Sequence, residues 1–194
     1  QDKLLIPVSK EVFEKIAVRE STGGMLAVAE QKMHRLEDIA LSDNPLLLIL
    51  ESVEKPGNLG AILRTADAAN VDAVIICDPQ TDFYNPNVIR SSVGCVFTKQ
   101  IASATSQETI DWLKRKHVNI FCTYLKASKE YHKTDFTKPS AIVMGTEATG
   151  LSDVWVKNST ANIIIPMGGK IDSMNVSTAA AVIIFEAKRQ RGFR

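Results

Sequence analysis

The sequence has 194 residues, of which 45% are hydrophobic and 23% are charged, and its formal net charge is +1. This composition is typical of a soluble globular protein with one domain of ordinary size and a short appendage, and it contains no apolar run long enough to cross a bilayer. The small net charge excludes a strong overall field for nucleic acid, although it leaves room for a local basic patch such as the C-terminal KRQRGFR.

The cysteines and histidines indicate neither a disulfide framework nor a metal site. The three cysteines are widely spaced without a CxxC pair, and two of them, Cys77 and Cys122, lie in apolar runs where we expect buried, inert thiols. The three histidines lie among charged segments, where surface positions are expected. We therefore expect a cytoplasmic protein in a reducing compartment, with no bound metal.

The first 45 residues differ from the rest of the chain. They contain an amphipathic helix pattern, a Thr-Gly-Gly turn and a short strand, followed by the charged segment KMHRLEDIALSDN. This is too little apolar sequence to form a core alone. We predict that residues 1–32 are an arm or the end of an N-terminal domain, that residues 33–45 are a linker, and that residues 46–194 form the main domain.

From residue 46 onward, apolar segments of strand length alternate with segments of helical pattern. The predicted strands are PLLLILE, DAVIICD, TKQIA, NIFCTYL, SAIVMG and ANIIIPM, and the predicted helices are NLGAILRTADAAN, NPNVIRSSVG, SQETIDWLKRKH, LSDVWVKN and NVSTAAAVIIFEAKRQ. This alternation predicts an α/β fold, with a mainly parallel sheet and helices on both faces. Ligands of such folds bind beyond the carboxyl ends of the strands, so the loops there are candidate sites.

The segment after the first strand, EKPGNLGAILRTADAAN, joins a Pro-Gly turn to a helix. We predict that Asn58 caps this helix. Arg64 lies off the apolar face of the helix, and its simplest role is a solvated side chain paired with Asp67. The alternative is a guanidinium group that binds a phosphate with two hydrogen bonds.

Glycines surround a single acidic residue after the fifth predicted strand. In TEATGLS, Gly145 and Gly150 flank Glu147 and permit tight or left-handed backbone that exposes peptide groups to a ligand. An ordinary turn with Glu147 in water is the alternative. The segment is not GxGxxG and contains no P-loop lysine, so classical dinucleotide or nucleoside triphosphate binding lacks support.

Three polar residues, Ser173, Asn175 and Ser177, precede or begin the last helix. Either Ser173 or Asn175 can cap the helix, and a cap needs only one side chain. The remaining polar groups beside an apolar helix indicate a ligand or a partner that binds them, although a helix cap alone remains the alternative.

Several of these segments resemble one known family. NLGAILRTADAANV, IVMGTEATGLS and IPMGGKIDSMNVSTAAAVIIFE resemble, in order, the three signature motifs of the SpoU (TrmH-like) RNA 2'-O-ribose methyltransferases of the SPOUT superfamily, and NPNVIRSSVGCVF resembles the segment between the first two motifs. The resemblance implies a deep C-terminal trefoil knot, S-adenosylmethionine bound within it, a homodimer, and rRNA or tRNA as substrate. Without it, the rule that chains avoid knots favours a plain doubly wound sheet.

The resemblance also implies roles for individual residues in the transfer of a methyl group to a ribose 2'-hydroxyl. The catalytic residues that the resemblance implies are Arg64, Asn58, Glu147, Ser173 and Asn175. The residues that it implies contact the cofactor are Thr123, Gly145, Glu147, Gly150, Ile165, Met167, Met174 and Val176. Arg64 acts either as a base or as a clamp on the target phosphate and the developing alkoxide. Because a free guanidinium group holds its proton tightly at neutral pH, the clamp is preferred.

Two other functions agree less well with the sequence. A catalytically inactive RNA- or nucleotide-binding module of the same fold is disfavoured, because the polar residues of the motifs are retained. A dehydrogenase of the Rossmann type is disfavoured by the missing glycine fingerprint. The N-terminal 30 residues resemble the end of the ribosomal-protein-like substrate-binding domain that precedes the catalytic domain in some family members.

Overall fold

The computed structural model describes residues 5–18, 23–127, 129–146 and 148–193, and the chain divides into two compact units, Gln1–Met33 and His34–Arg194. In the first unit, helix α1 (Lys10–Ile16) begins after Ser9, whose hydroxyl oxygen accepts a hydrogen bond from the backbone N–H of Val12 (3.3 Å). The short strand expected after this helix is absent from the described residues 23–33. The assignment of this unit to a substrate-binding domain stays a prediction.

The described part of the second unit contains one sheet of seven strands in the order β3-β2-β1-β6-β4-β7-β5. The strands are β1 (Leu46–Glu51), β2 (Ala73–Cys77), β3 (Ile101–Ala104), β4 (Asn119–Thr123), β5 (Lys129–Glu130), β6 (Ser140–Met144) and β7 (Ala161–Ile164). The helices are α2 (Pro56–Ala68), α3 (Pro86–Ser91), α4 (Cys95–Thr98), α5 (Ser106–Arg115), α6 (Asp153–Asn158) and α7 (Val176–Gln190). All six strand pairings are parallel, so the carboxyl ends of the strands meet at one edge.

The predicted α/β fold with a mainly parallel sheet is confirmed. All six predicted strands are present, but the third is displaced toward its carboxyl end because residues Cys95–Thr98 form a short helix before it. The two-residue strand Lys129–Glu130 was not predicted, since a strand of this length carries no periodicity. The trefoil knot remains a prediction from the family resemblance.

Alternate side chains of the central strand β1 belong to two separate cores. Leu46, Leu48 and Leu50 pack with residues of α2 and α7 on one face of the sheet. Leu47 and Ile49 pack with residues of α5 and α6 on the other face. Helices thus cover both faces, which explains why the strand is a continuous apolar run rather than an alternating one. None of the described helices combines the length and hydrophobicity that a membrane span needs.

Two cysteines belong to the sheet interior, as expected. Burial raises the pKa of both the Cys77 and the Cys122 thiols to about 12, so both remain protonated and unreactive at neutral pH. Among the described residues, no group of three or more His, Cys, Asp or Glu side chains is arranged to hold a metal ion.

Helices α2 and α3 approach so closely that Gly60 has no room for a side chain. A Cβ atom on Gly60 would lie 1.9 Å from the Ser91 Oγ and 2.8 Å from the backbone nitrogen of Ser92. The Ser91 hydroxyl lies within hydrogen-bond distance of the carbonyl oxygens of Asn87 (2.6 Å) and Pro56 (3.3 Å). Gly60 and Ser91 therefore set the spacing between the two helices.

Replacing Gly60 by alanine tests this contact. We expect Gly60→Ala to lower the free energy of unfolding, because overpacking costs about 1–3 kcal/mol and exceeds the roughly 1 kcal/mol that alanine gains over glycine in a helix. Gly57→Ala in the first turn of the same helix is the control, since a Cβ atom there meets nothing within 4 Å. Urea unfolding measures both variants, and equal stabilities would contradict the close approach.

Candidate active site

Three adjacent strands bring predicted cofactor residues to one edge of the sheet. Strands β6, β4 and β7 are neighbours, and Gly145 follows β6, Thr123 ends β4 and Ile165 follows β7. This carboxyl edge is where parallel α/β folds place their ligands. The Thr123 hydroxyl donates to the Val143 carbonyl oxygen (2.9 Å), so this group joins two strands inside the sheet.

The loop after β6 closes on itself. Thr146 and Gly150 exchange two backbone hydrogen bonds of 3.2 and 3.1 Å, and the Thr149 N–H donates to the Thr146 Oγ1 (3.0 Å). Gly150 has φ +71°, and a Cβ atom on Gly145 would lie 2.3 Å from the Gly150 carbonyl carbon, so the turn requires glycine at both positions. Glu147, in the same segment, lies outside the described residues, and its role stays a prediction.

The segment between β7 and α7 has the opposite character. From Pro166 to Met174, no backbone–backbone hydrogen bond joins it to the rest of the described chain. The side chains of Ile165, Met167 and Met174 are half-buried, whereas Gly168 is exposed. Apolar side chains beside available peptide groups can bind a ligand with an apolar body and polar edges.

Asn175, rather than Ser173, caps helix α7. The Asn175 Oδ1 accepts hydrogen bonds from the Ser177 N–H (2.9 Å) and the Ser177 hydroxyl (2.5 Å). Its Nδ2 donates to the Asn58 Oδ1 (3.1 Å), which links the first and third motif segments. Ser173 is exposed, and its hydroxyl donates to the Asp172 Oδ1 (3.2 Å).

The prediction that Asn58 caps α2 is wrong. The helix begins at Pro56, whose fixed φ suits the first helical position and which has no N–H to satisfy, and Lys55 is the capping residue. Asn58 therefore lies in the first turn of the helix. From there its side chain reaches Asn175, so the two predicted residues come together.

Arg64 lies in a cleft of about 490 Å³ between α2 and α3. Its side chain is exposed and makes no hydrogen bond or ion pair with any residue that the structure describes, so the alternative pairing with Asp67 is not formed. The Arg64 guanidinium group is therefore available to a ligand. Burial, with a smaller contribution from Asp67, raises the pKa of the neighbouring Cys95 thiol.

A buried carboxylate that was not among the predicted residues lies behind the site. Glu51, at the end of β1, is 7% exposed, and its carboxylate accepts hydrogen bonds from the Ser152 N–H (2.8 Å) and the Ser152 hydroxyl (2.5 Å). The Ser106 hydroxyl lies between Glu51 (3.3 Å) and Asp78 (2.6 Å) and accepts from the Trp155 Nε1–H (3.0 Å). These contacts tie the end of the loop after β6 to the core. A charged residue closing the apolar run LLLILE was the available signal.

A parallel sheet with helices on both faces and candidate ligand residues in the loops after its strands defines an open-sheet α/β protein, a class that binds its ligands at this edge. The sequence model of the SpoU rRNA Methylase family matches residues 45–185, and the chain belongs to this family. The predicted family is thereby confirmed.

Individual relatives agree with this assignment. The chain is 35% identical over 192 residues to the 23S rRNA (guanosine-2'-O-)-methyltransferase RlmB of Ralstonia nicotianae, covering 96% of this chain and 77% of the relative. It is 31% identical over 178 residues to the 23S rRNA (uridine(2479)-2'-O)-methyltransferase of Streptomyces viridochromogenes, covering 89% of this chain and 62% of the relative. The crystal structure of an AdoMet-bound rRNA methyltransferase from Sinorhizobium meliloti matches with a TM-score of 0.88 at 32% identity, covering 93% of this chain and 70% of that one.

Removing the Glu51 carboxylate should destabilise the fold. In Glu51→Ala the Ser152 N–H and hydroxyl lose their buried acceptor, and we expect a loss of about 2–4 kcal/mol in the free energy of unfolding. Glu37→Ala, an exposed position in the turn Leu36–Asp38, is the control and should stay within about 0.5 kcal/mol of the wild type. Urea denaturation compares the free energies of unfolding of the two variants. If Glu51→Ala also stayed within about 0.5 kcal/mol of the wild type, the buried contacts would contribute nothing to stability.

Proposed function

We propose that this protein transfers a methyl group from S-adenosylmethionine to a ribose 2'-hydroxyl of ribosomal RNA. The observation that carries the proposal is the match of residues 45–185 to the SpoU rRNA Methylase family. The relatives are named for 2'-O-methylation of 23S rRNA, and the structure from Sinorhizobium meliloti is described as AdoMet-bound. The relative from Ralstonia nicotianae is named for guanosine and the relative from Streptomyces viridochromogenes for uridine. Because these two nucleosides differ, the target nucleotide of this protein has to be determined by mapping 2'-O-methyl sites in cells that lack it.

The residues after β4, β6 and β7 suit this cofactor. The half-buried side chains of Ile165, Met167 and Met174 provide apolar contacts for an adenine ring, and the peptide groups from Pro166 to Met174 provide donors and acceptors for its polar edges. When bound, S-adenosylmethionine supplies a methyl group activated by its positive sulfur.

Support for these contacts comes from Gly145, Gly150, Thr123 and Val176. The two glycines shape the closed loop after β6, and Thr123 joins β4 to β6. Val176 is buried at the first position of α7 and fixes the end of the open segment. In this proposal these four residues hold the backbone of the site in place, Thr123 and Val176 through their side chains, whereas the three apolar side chains named above contact the cofactor.

Arg64 is proposed to hold the target phosphate and to stabilise the negative charge that develops on the 2'-oxygen. The three motif segments contain no histidine, so an imidazole base is not available from them. A guanidinium group stays charged at neutral pH and donates two parallel hydrogen bonds to a phosphate. Transfer would break the bond between the methyl carbon and the sulfur, leaving a neutral thioether, and form the bond to the 2'-oxygen. The hydroxyl proton would pass to water, while Arg64 stabilises the negative charge that develops on the oxygen as the proton leaves.

The other predicted residues are proposed to place these groups. Asn58 and Ser173 position Arg64 or the ribose, and Glu147 orients Arg64 or the ligand. Asn175 acts through its cap and through its hydrogen bond to Asn58, which keeps the third motif segment against the first.

We also propose that the protein works as a cytoplasmic homodimer. The proposal comes from the family resemblance and is supported by exposed apolar side chains in the second unit, where Phe97 and Phe185 are 56% and 43% exposed. Light scattering coupled to size exclusion should give twice the mass of one chain. A mass of one chain at micromolar concentration would contradict the dimer.

Replacing Arg64 tests the proposed reaction. Arg64→Ala should lower the rate of methylation of an unmodified 23S rRNA transcript by about a hundredfold or more. Its affinity for S-adenosylmethionine, measured by calorimetry, should change little because the guanidinium group acts on the RNA. Arg64→Lys should restore only part of the rate, since an ammonium group lacks the planar fork of arginine.

The matched control is Arg115→Ala. Arg115 is also exposed, but it ends α5 on the opposite face of the sheet and should leave methylation unchanged. Full activity of Arg64→Ala would remove Arg64 from the mechanism. Wild-type protein that binds RNA and S-adenosylmethionine but methylates no RNA would instead support the inactive binding module.

A further inference from the structure

The cleft that contains Arg64 holds a second arginine, which the proposed reaction does not use. The residues lining the cleft are Pro56, Gly57, Arg64, Asn87, Arg90, Ser91 and Val93. Arg64 comes from α2 and Arg90 from α3, and none of these seven residues is acidic. Two guanidinium groups facing one cleft without a carboxylate give it a positive potential that attracts anions.

Both arginines keep their hydrogen-bond donors available. Arg90, like Arg64, is exposed and has no hydrogen bond or ion pair to any residue in the described part of the chain. Two other arginines of the same unit are engaged: Arg189 pairs with Glu186 (2.8 Å), and Arg191 donates to backbone carbonyls such as that of Phe136 (2.7 Å). Five N–H donors on each of the two cleft arginines are thus left for a ligand.

The contact between α2 and α3 fixes the relative position of the two arginines. Gly60 lies one helical turn before Arg64, and Ser91 directly follows Arg90. These two neighbours, Gly60 and Ser91, are the residues whose close approach leaves no room for a side chain on the glycine. The backbones that carry the guanidinium groups are therefore held before a ligand arrives, which reduces the entropy lost on binding.

The rim of the cleft adds an exposed apolar side chain. Val93 has φ +55°, a conformation that β-branched residues rarely adopt, and it is 68% exposed. The Val93 N–H donates to the Arg90 carbonyl oxygen (3.2 Å), so the chain turns sharply after Arg90. An apolar group beside two cations suits a ligand that carries a sugar or a base next to its phosphates, rather than an isolated anion.

We propose that Arg90 binds a phosphate of the RNA strand next to the phosphate held by Arg64, so that the cleft grips two neighbouring phosphates around the target ribose. This inference rests on the proposed function, because it uses the same RNA. Arg90 is a substrate-binding residue in this arrangement, and Arg64 alone acts on the reacting oxygen. Arg64 and Arg90 together concentrate positive charge in the cleft that binds the RNA, although the net charge of the chain is only +1.

The salt dependence of RNA binding tests this proposal. Each phosphate contact with a single strand contributes about 0.7 to the slope of log affinity against log salt concentration. Arg90→Ala should reduce the slope for a single-stranded RNA oligonucleotide by about this amount. Arg90→Lys keeps the charge and should retain the wild-type slope, whereas a merely structural role for Arg90 would affect both variants. Arg115→Ala should behave like the wild type.

Kinetics separate binding from chemistry. With the 23S rRNA transcript, Arg90→Ala should raise the KM for RNA about tenfold while the rate at saturating RNA stays within about twofold, because the lost contact serves binding of substrate and transition state alike. Arg64→Ala should instead lower the saturated rate. A lower saturated rate with unchanged KM in Arg90→Ala would overturn the binding role.

Two further outcomes bear on the proposal. Unchanged RNA affinity and salt slope in Arg90→Ala would overturn it while wild-type methylation left the proposed function standing. Binding to the oligonucleotide does not depend on methyl transfer. The salt dependence of binding therefore tests the role of Arg90 even if the wild type methylates no RNA. Inorganic phosphate at constant ionic strength should not displace the oligonucleotide, and displacement from the wild type but not from Arg90→Ala would assign the cleft to an isolated phosphate instead.

Discussion

Parallel pairing of the strands is the constraint on which the rest of the structure depends. A parallel pair cannot be closed by a tight hairpin, so each connection must cross over the sheet, and here α2, α5 and α6 are among the crossing helices. The helices cover both faces and force β1 to be apolar along its whole length. The same pairing brings the loops after β4, β6 and β7 to one edge, where the motif residues collect.

Two neighbouring loops at this edge are built in opposite ways. The loop after β6 is closed by its own backbone bonds and anchored through Ser152 to the buried carboxylate of Glu51. The segment from Pro166 to Met174 leaves its peptide groups available until the chain is fixed again by the Asn175 cap. The closed loop after β6 can hold a cofactor in place, while the peptide groups of the segment from Pro166 to Met174 can form hydrogen bonds with it.

Arginine serves two separate purposes in this chain. The Arg191 side chain donates hydrogen bonds to the backbone carbonyls of Asn44, Phe136 and Lys138. These bonds join the end of α7 to the segments preceding β1 and β6. Arg64 and Arg90 make no hydrogen bond or ion pair with any residue that the structure describes, and we propose that both bind RNA phosphates. Net charge averages over both uses, which is why the total of +1 gave no hint of a cleft with two available cations.

The sequence by itself determined the alternation of strands and helices, the two-sided burial of the sheet and the motif segments that identify the family, because these depend on local periodicity and residue order. Only the tertiary structure decided that Asn58 meets Asn175 rather than capping α2, that Glu51 is buried against Ser152, and that Arg90 shares a cleft with Arg64. The residues of these pairs are 117, 101 and 26 positions apart, and no short-range pattern reports on such contacts. They exist because parallel crossovers bring distant segments to one edge of the sheet, and because Gly60 lets α3 lie directly against α2.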